Sequence, residues 1–191
     1  MSTRSQLRFV QRVEQTDGTA DNADRVAQVY RHSDGYPESV LLDLVQLKQL
    51  LDATRAERGP SYTAATFVFL DKLSTVGLYL DGDPERTIDA TQPADLLDPA
   101  NMEHLDRPLF LLGHGVEDPA GGIHGDEEYL YVVELPTKTP FDEPAEWTVR
   151  VSGHSTFPRW DGPTDEAFER ASWQFQGALK DAHSELVAES A

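Results

Sequence analysis

The sequence predicts an α+β domain: an antiparallel sheet of about five strands with three main helices packed on it, in the order β-β-α-α-β-β-β-α. Two observations carry this. Short runs of alternating or continuous apolar residues recur at 7–14, 26–32, 109–116, 128–135 and 147–151, each bounded by turn residues. Between the second and third lie two longer apolar segments, the first with helical spacing and the second apolar all round.

Leu7 to Glu14 reads as a strand with one half-buried face, set by Leu7 and Phe9. Asp17-Gly18 is a turn, and Val26 to His32 a second strand, so the two should pair as an antiparallel hairpin. Asp34-Gly35-Tyr36-Pro37 then turns the chain into a helix. Pro37 suits a first helical turn, and Gly35 is free to take a positive φ. From Glu38 to about Arg58, Val40, Leu44, Leu47 and Leu51 form one stripe, widened by Leu41 and Val45, with Gly59-Pro60 as the stop. Tyr62 to about Val76 is apolar all round and reads as a second, largely buried helix, with Gly77 to Leu80 as a short strand leaving it.

Residues 81–108, divided by four prolines, are expected to be a long surface connection. Three strands follow, at 109–116, 128–135 and 147–151. Thr164 is placed to cap a closing helix that runs to about Val187, with Phe168, Ala171 or Trp173, Phe175 and Leu179 facing inward. The whole of 1–191 is expected to be one domain, with 1–5 and 188–191 as disordered tails.

Cysteine is absent, which excludes disulfides, thiolate metal sites and cysteine nucleophiles. The first dozen residues carry no apolar signal core, and no apolar run reaches membrane-spanning length. A soluble cytoplasmic protein without membrane contact is the expectation. The net charge of -18 is dispersed along the chain, and its 16 basic residues are 12 Arg and only 4 Lys. This pattern resembles the acidic proteins of salt-accumulating haloarchaea. Molar salt shortens the Debye length to about 3 Å, so self-repulsion is screened and hydrated carboxylates keep the surface soluble. An acidic decoy of nucleic acid would instead gather its charge on one face. In molar salt the acidity does not exclude a nucleic-acid partner.

The chemistry concentrates in two stretches, Tyr30-Arg31-His32-Ser33-Asp34-Gly35-Tyr36-Pro37 and His124-Gly125-Asp126-Glu127-Glu128-Tyr129-Leu130-Tyr131. Each holds a His-x-Asp followed by Tyr where a strand meets a turn. In extended backbone, residues two apart share a side. His32, Asp34, His124 and Asp126 are therefore candidate ligands for a divalent metal, with Tyr36, Glu128 and Tyr129 lining the same cleft. A carboxylate orienting each imidazole would equally serve acid–base work. The competing account is structural, since Asp34-Gly35 and Gly125-Asp126 are turn pairs and Asp34 can satisfy free N–H groups at the helix start. His114 stands apart from the other histidines because Gly113 and Gly115 leave its ring accessible. Ser33, Ser152 and Ser155 lack a Gly-x-Ser-x-Gly context.

The two stretches resemble those of a group of small uncharacterised prokaryotic and phage-associated proteins. Members carry Tyr-x-His-x-Asp-Gly-Tyr-Pro early and Gly-Asp-x-Glu-Tyr-x-Tyr late. The resemblance implies no activity, but it implies that the two motifs form one unit. Two functions compete. One is a non-catalytic binding or regulatory module, favoured because neither spacing is that of an established catalytic or metal motif. The other is a small metal-assisted hydrolase built on the two His-x-Asp segments.

Overall fold

The computed structural model describes residues 3–12, 24–80, 114–123, 127–137, 145–153, 168 and 171–188, except for the side chains of 73–80 and 187–188. Strands β1 (Ser5–Gln11) and β2 (Arg25–Arg31) are followed by helices α1 (Pro37–Thr54) and α2 (Pro60–Leu80). After them come β3 (Gly115–Glu117), a 3-10 turn at Pro119–Gly121, β4 (Tyr129–Leu135), β5 (Thr148–Gly153), β6 (Phe175–Ala178) and α3 (Leu179–Ala188). Among the described residues the class is α+β, with three helices and one sheet of six strands in the order β3-β2-β1-β4-β5-β6. No helix among the described residues is long and apolar enough to cross a membrane.

The predicted hairpin is present: β1 and β2 pair antiparallel from Ser5 opposite Arg31 to Gln11 opposite Arg25. The sheet is not wholly antiparallel, however. β1 and β4 run parallel, from Ser5 opposite Tyr129 to Gln11 opposite Leu135. The reason lies in the path from β3 to β4. β3 is added outside β2, and β4 lies beyond β1. The chain therefore crosses two strands over one face of the sheet. Polar side chains on that face receive the crossing backbone: Arg8 donates to the Pro119 carbonyl at 2.8 Å, and Gln6 and Gln28 both donate to the Gly122 carbonyl at 3.1 Å. β1 is thereby covered on both faces, and Gln6 and Arg8, which pattern alone puts in water, are buried.

The main core lies on the opposite face. Leu7, Phe9, Val29, Tyr131, Val133, Val149 and Val151 meet Val40, Leu41, Leu44, Leu47 and Leu51 of α1 and Ala64 and Phe67 of α2. The α1 stripe is the one that the sequence shows. The helix ends earlier than predicted, at Thr54, because Arg55 turns left-handed at φ 51°. Gly59 and Pro60 then start α2 and do not stop α1. Residues 77–80 continue α2 and form no strand.

A sixth strand interrupts the predicted closing helix: residues 171–174 are not helical, Phe175–Ala178 pairs with β5, and Leu179–Ala188 is helical. The apolar spacing of Phe168, Phe175 and Leu179 imitates a helical stripe. In the fold these residues serve two faces: Phe168 joins Leu130, Val132 and Ala171, while Phe175 and Leu179 join the main core. The guanidinium of Arg8 lies 4.2 Å from the centre of the Phe168 ring. The expected connection at 81–108 and the expected helix cap at Thr164 lie outside the described residues. At the N-terminus, Thr3 accepts a backbone hydrogen bond and Ser5 opens β1.

Trp147, wholly buried just before β5, donates its indole N–H to Glu57 at 3.1 Å. Burial raises the Glu57 carboxyl above its ordinary range, and Asp52 adds to this; the Trp147 hydrogen bond and Lys48 act against it. A carboxyl raised by folding binds its proton more tightly folded than unfolded. Stability therefore falls as pH rises from the ordinary carboxylate range to the raised value, and it stays lower above. Glu57→Gln keeps an acceptor for Trp147 and removes the buried charge. Its thermal midpoint near neutral pH should equal or exceed that of the wild type, with this part of the pH slope gone. A lower midpoint would mean that attraction to Lys48 outweighs burial.

Candidate functional site

Both motif-bearing strands reach the same end of the sheet. Ser5, the first residue of β1, lies opposite Arg31 of β2 on one side and Tyr129 of β4 on the other. The segment after β2 and the segment before β4 therefore flank the start of β1. They also touch: the Tyr131 hydroxyl donates to the Gly35 carbonyl at 2.8 Å. Burial raises the Tyr131 phenol well above its ordinary value, with Tyr129 adding to the shift and Arg31 opposing it, so the hydroxyl stays a donor.

Gly35 is seated by the Thr3 carbonyl, which accepts its N–H at 2.9 Å. The glycine is required by close approach, not by φ. A Cβ built there would lie 2.7 Å from Ser5 Cβ and Oγ and 2.8 Å from the Arg4 carbonyl carbon. The left-handed residue of the turn is Asp34, at φ 54°. Extended backbone thus ends before Asp34, and the geometry that would align it with His32 does not reach it. Asp34 does not cap α1 either, because the N-cap is Tyr36, with no side-chain cap bond. Asp34 and Tyr36 are exposed. His32 is half-buried, its Nδ1 3.3 Å from the Tyr30 hydroxyl and its ring edge-on to Tyr30.

On the other motif, Glu128 and Tyr129 are half-buried, and their backbone N–H groups donate to the Arg4 carbonyl at 3.0 and 3.3 Å. The Tyr129 and Tyr131 rings stack 6.3 Å apart. His124 and Asp126 lie outside the described residues, so two of the four proposed metal ligands have no described position. Among the described residues no group of three or more His, Asp or Glu side chains is placed to hold a metal ion.

Among the described residues a dense polar constellation is centred on Arg31. Buried at the end of β2, it donates from Nε to the Ser33 carbonyl at 3.0 Å, from one terminal nitrogen to Asp43 at 2.6 Å, and from the other to Ser39 at 2.9 Å. The last nitrogen also lies 3.4 Å from Asp71 Oδ1. Burial raises the Asp43 carboxyl, and Asp71 and Asp34 add to this, while Arg31 opposes it. Asp71 in turn holds His114 by Nδ1, and His114 Nε2 lies 3.3 Å from both the backbone nitrogen and the hydroxyl of Ser33. Ser33, His114 and Asp71 thus form a hydroxyl–imidazole–carboxylate series.

The sequence pattern marks His114 by its glycines, gives Ser33 no nucleophile context and places Asp71 in no motif. One signal was present. Asp71 is the sole acid in the apolar run 60–80, and a carboxylate in a buried helix needs a partner. Comparison with known proteins finds no match among family models, curated sequences or solved structures.

Proposed function

We propose that the protein is a binding or regulatory module that presents the turn Asp34-Gly35-Tyr36 and the start of β4 to a partner. The observation that supports this is the seating of Gly35. Its N–H and C=O are both engaged, by Thr3 and Tyr131, and the residues on either side, Asp34 and Tyr36, face solvent. Affinity gains when a contact loop is already rigid, because less ordering entropy opposes binding. Tyr36, 38% exposed, offers an aromatic anchor of the kind that dominates interface energetics. The exposed carboxylates Asp34 and Glu38 beside it favour a partner segment bearing Arg or Lys. The contact between the two stretches also supports treating them as one unit.

The test is quantitative capture from a lysate of the source cells in molar KCl, comparing wild type with Tyr36→Ala and Asp34→Asn. Proteins bound by the wild type should be lost with both variants, each of which should keep the wild-type melting temperature. Identical captured sets for all three would discard this surface.

The same reading places the protein in the cytoplasm of a salt-accumulating cell. The net charge of -18 supports this, since dispersed carboxylates repel one another unless salt screens them. Thermal unfolding should be cooperative in about 2 M KCl and shift to lower temperature in about 0.1 M, where the Debye length is about 10 Å. Equal midpoints at the two concentrations would remove the salt-adapted reading.

A further inference from the structure

We infer that Ser33 is the nucleophile of an acyl-transfer site, activated by His114 with Asp71 as its positioning residue, acting on neutral or cationic carboxylic esters. This goes beyond the partner surface and does not depend on it. Three separate elements bring the groups together: the turn between β2 and α1, helix α2, and the residue before β3. The Asp71 carboxylate on Nδ1 fixes the ring proton there. Nε2 then turns its lone pair to the Ser33 hydroxyl 3.3 Å away. Asp71 is itself oriented by Arg31, and both side chains are 5% exposed. The nucleophile is held as firmly as its base, because Arg31 grips the Ser33 carbonyl and His114 the Ser33 N–H. Directly after it, Asp34 at φ 54° bends the chain from strand toward helix, so Ser33 lies in the strand-to-helix turn, half-buried.

The chemistry balances as ester hydrolysis. Nε2 takes the hydroxyl proton while Ser33 Oγ bonds to the ester carbonyl carbon. The bond from that carbon to the alkoxy oxygen breaks, and the leaving oxygen takes the proton from Nε2 and departs as the alcohol. Water then gives a proton to Nε2 and bonds to the acyl carbon. Ser33 Oγ leaves with that proton, releasing a carboxylic acid. The substrate class follows from the surroundings: Asp34 next to Ser33 and Glu38 in the first turn of α1 are exposed, and a carboxylate seated against them meets like charge at contact range, inside the roughly 3 Å screening length of molar salt.

His114 also accepts the Ser33 N–H, so a ring that merely fastens the turn would show the same contacts. Chemistry separates the two. The full chain in molar KCl is treated with p-nitrophenyl acetate and, separately, with a fluorophosphonate probe, and adducts are located by peptide mass mapping. The expected result is one adduct on Ser33 with each reagent and release of p-nitrophenol. Ser33→Ala should abolish the adduct, and His114→Gln should slow it by roughly 100-fold, the scale of one positioned general base. No adduct on Ser33 would overturn the proposal, as would an undiminished rate in a folded His114→Gln variant. If that variant does not fold, the wild-type labelling rate against pH decides. A rise that levels off above an imidazole titration supports activation, and a rate that climbs with hydroxide without levelling overturns it.

Discussion

Replacing Arg31 with Met should destabilise the protein by about 3–5 kcal/mol, the cost typical of removing one partner from a buried ion pair. Arg31 is 4% exposed, and its guanidinium is shared by Asp43, Asp71, Ser39 and the Ser33 carbonyl. Methionine fills much of the volume but offers no donor. Asp71, as buried as Arg31, then keeps only His114 among the partners described above, and it lies in the field of Asp43, whose carboxyl its charge already helps to raise. Urea unfolding in molar KCl measures the loss. Adding Asp71→Asn to Arg31→Met should recover part of it, because the buried charge goes with its partner. A loss below about 1 kcal/mol, the scale of an exposed pair, would show that the network does not hold the fold.

Gly35→Ala should cost about 3 kcal/mol, toward the upper end for overpacking, because the obstacle includes backbone. The added carbon would meet Ser5 Cβ and Oγ at 2.7 Å and the Arg4 carbonyl carbon at 2.8 Å. The turn cannot back away without releasing the Thr3 and Tyr131 hydrogen bonds. Ser5→Gly in the same chain should restore only part of the stability, since the Arg4 contact stays. A change below about 0.5 kcal/mol, as ordinary surface substitutions give, would mean that the turn is not clamped. Tyr131→Phe probes the same clamp from the other side. It removes one hydroxyl and should cost about 1–3 kcal/mol, the penalty for stranding a buried carbonyl.

How far the fold could be read in advance varies by element, for physical reasons. The α1 stripe keeps helical spacing from Val40 to Leu51, and Leu44, Leu47 and Leu51 are all buried as spaced. The β1–β2 hairpin follows from two runs joined by a turn. β6 was hidden because four residues around Gly177 carry little pattern, and the apolar spacing on either side fits a helix equally well. At the site, the strand–turn–helix at His32 to Pro37 was legible, and so was the shared end of the sheet for both motifs. The role of Gly35 was not. Its reason is the proximity of Ser5 and Arg4, some thirty residues earlier, and not its own torsion. The links of Ser33 to His114 and of Asp71 to His114 span 81 and 43 positions, too far for any local motif.

By itself the sequence determined the α+β class, the two long helices, the first hairpin and the turn that carries Asp34 and Tyr36. These depend on interactions within a few residues, where periodicity and turn chemistry act directly. The tertiary structure decided which strands became neighbours and which polar residues became partners. β1 runs parallel to β4 because the chain from β3 crosses the sheet on carbonyls that Gln6, Arg8 and Gln28 receive. The pairing of β3 with β2 brings His114 to Asp71 and Ser33. A buried donor must find an acceptor wherever in the chain it lies, so these pairings are set by packing and not by spacing.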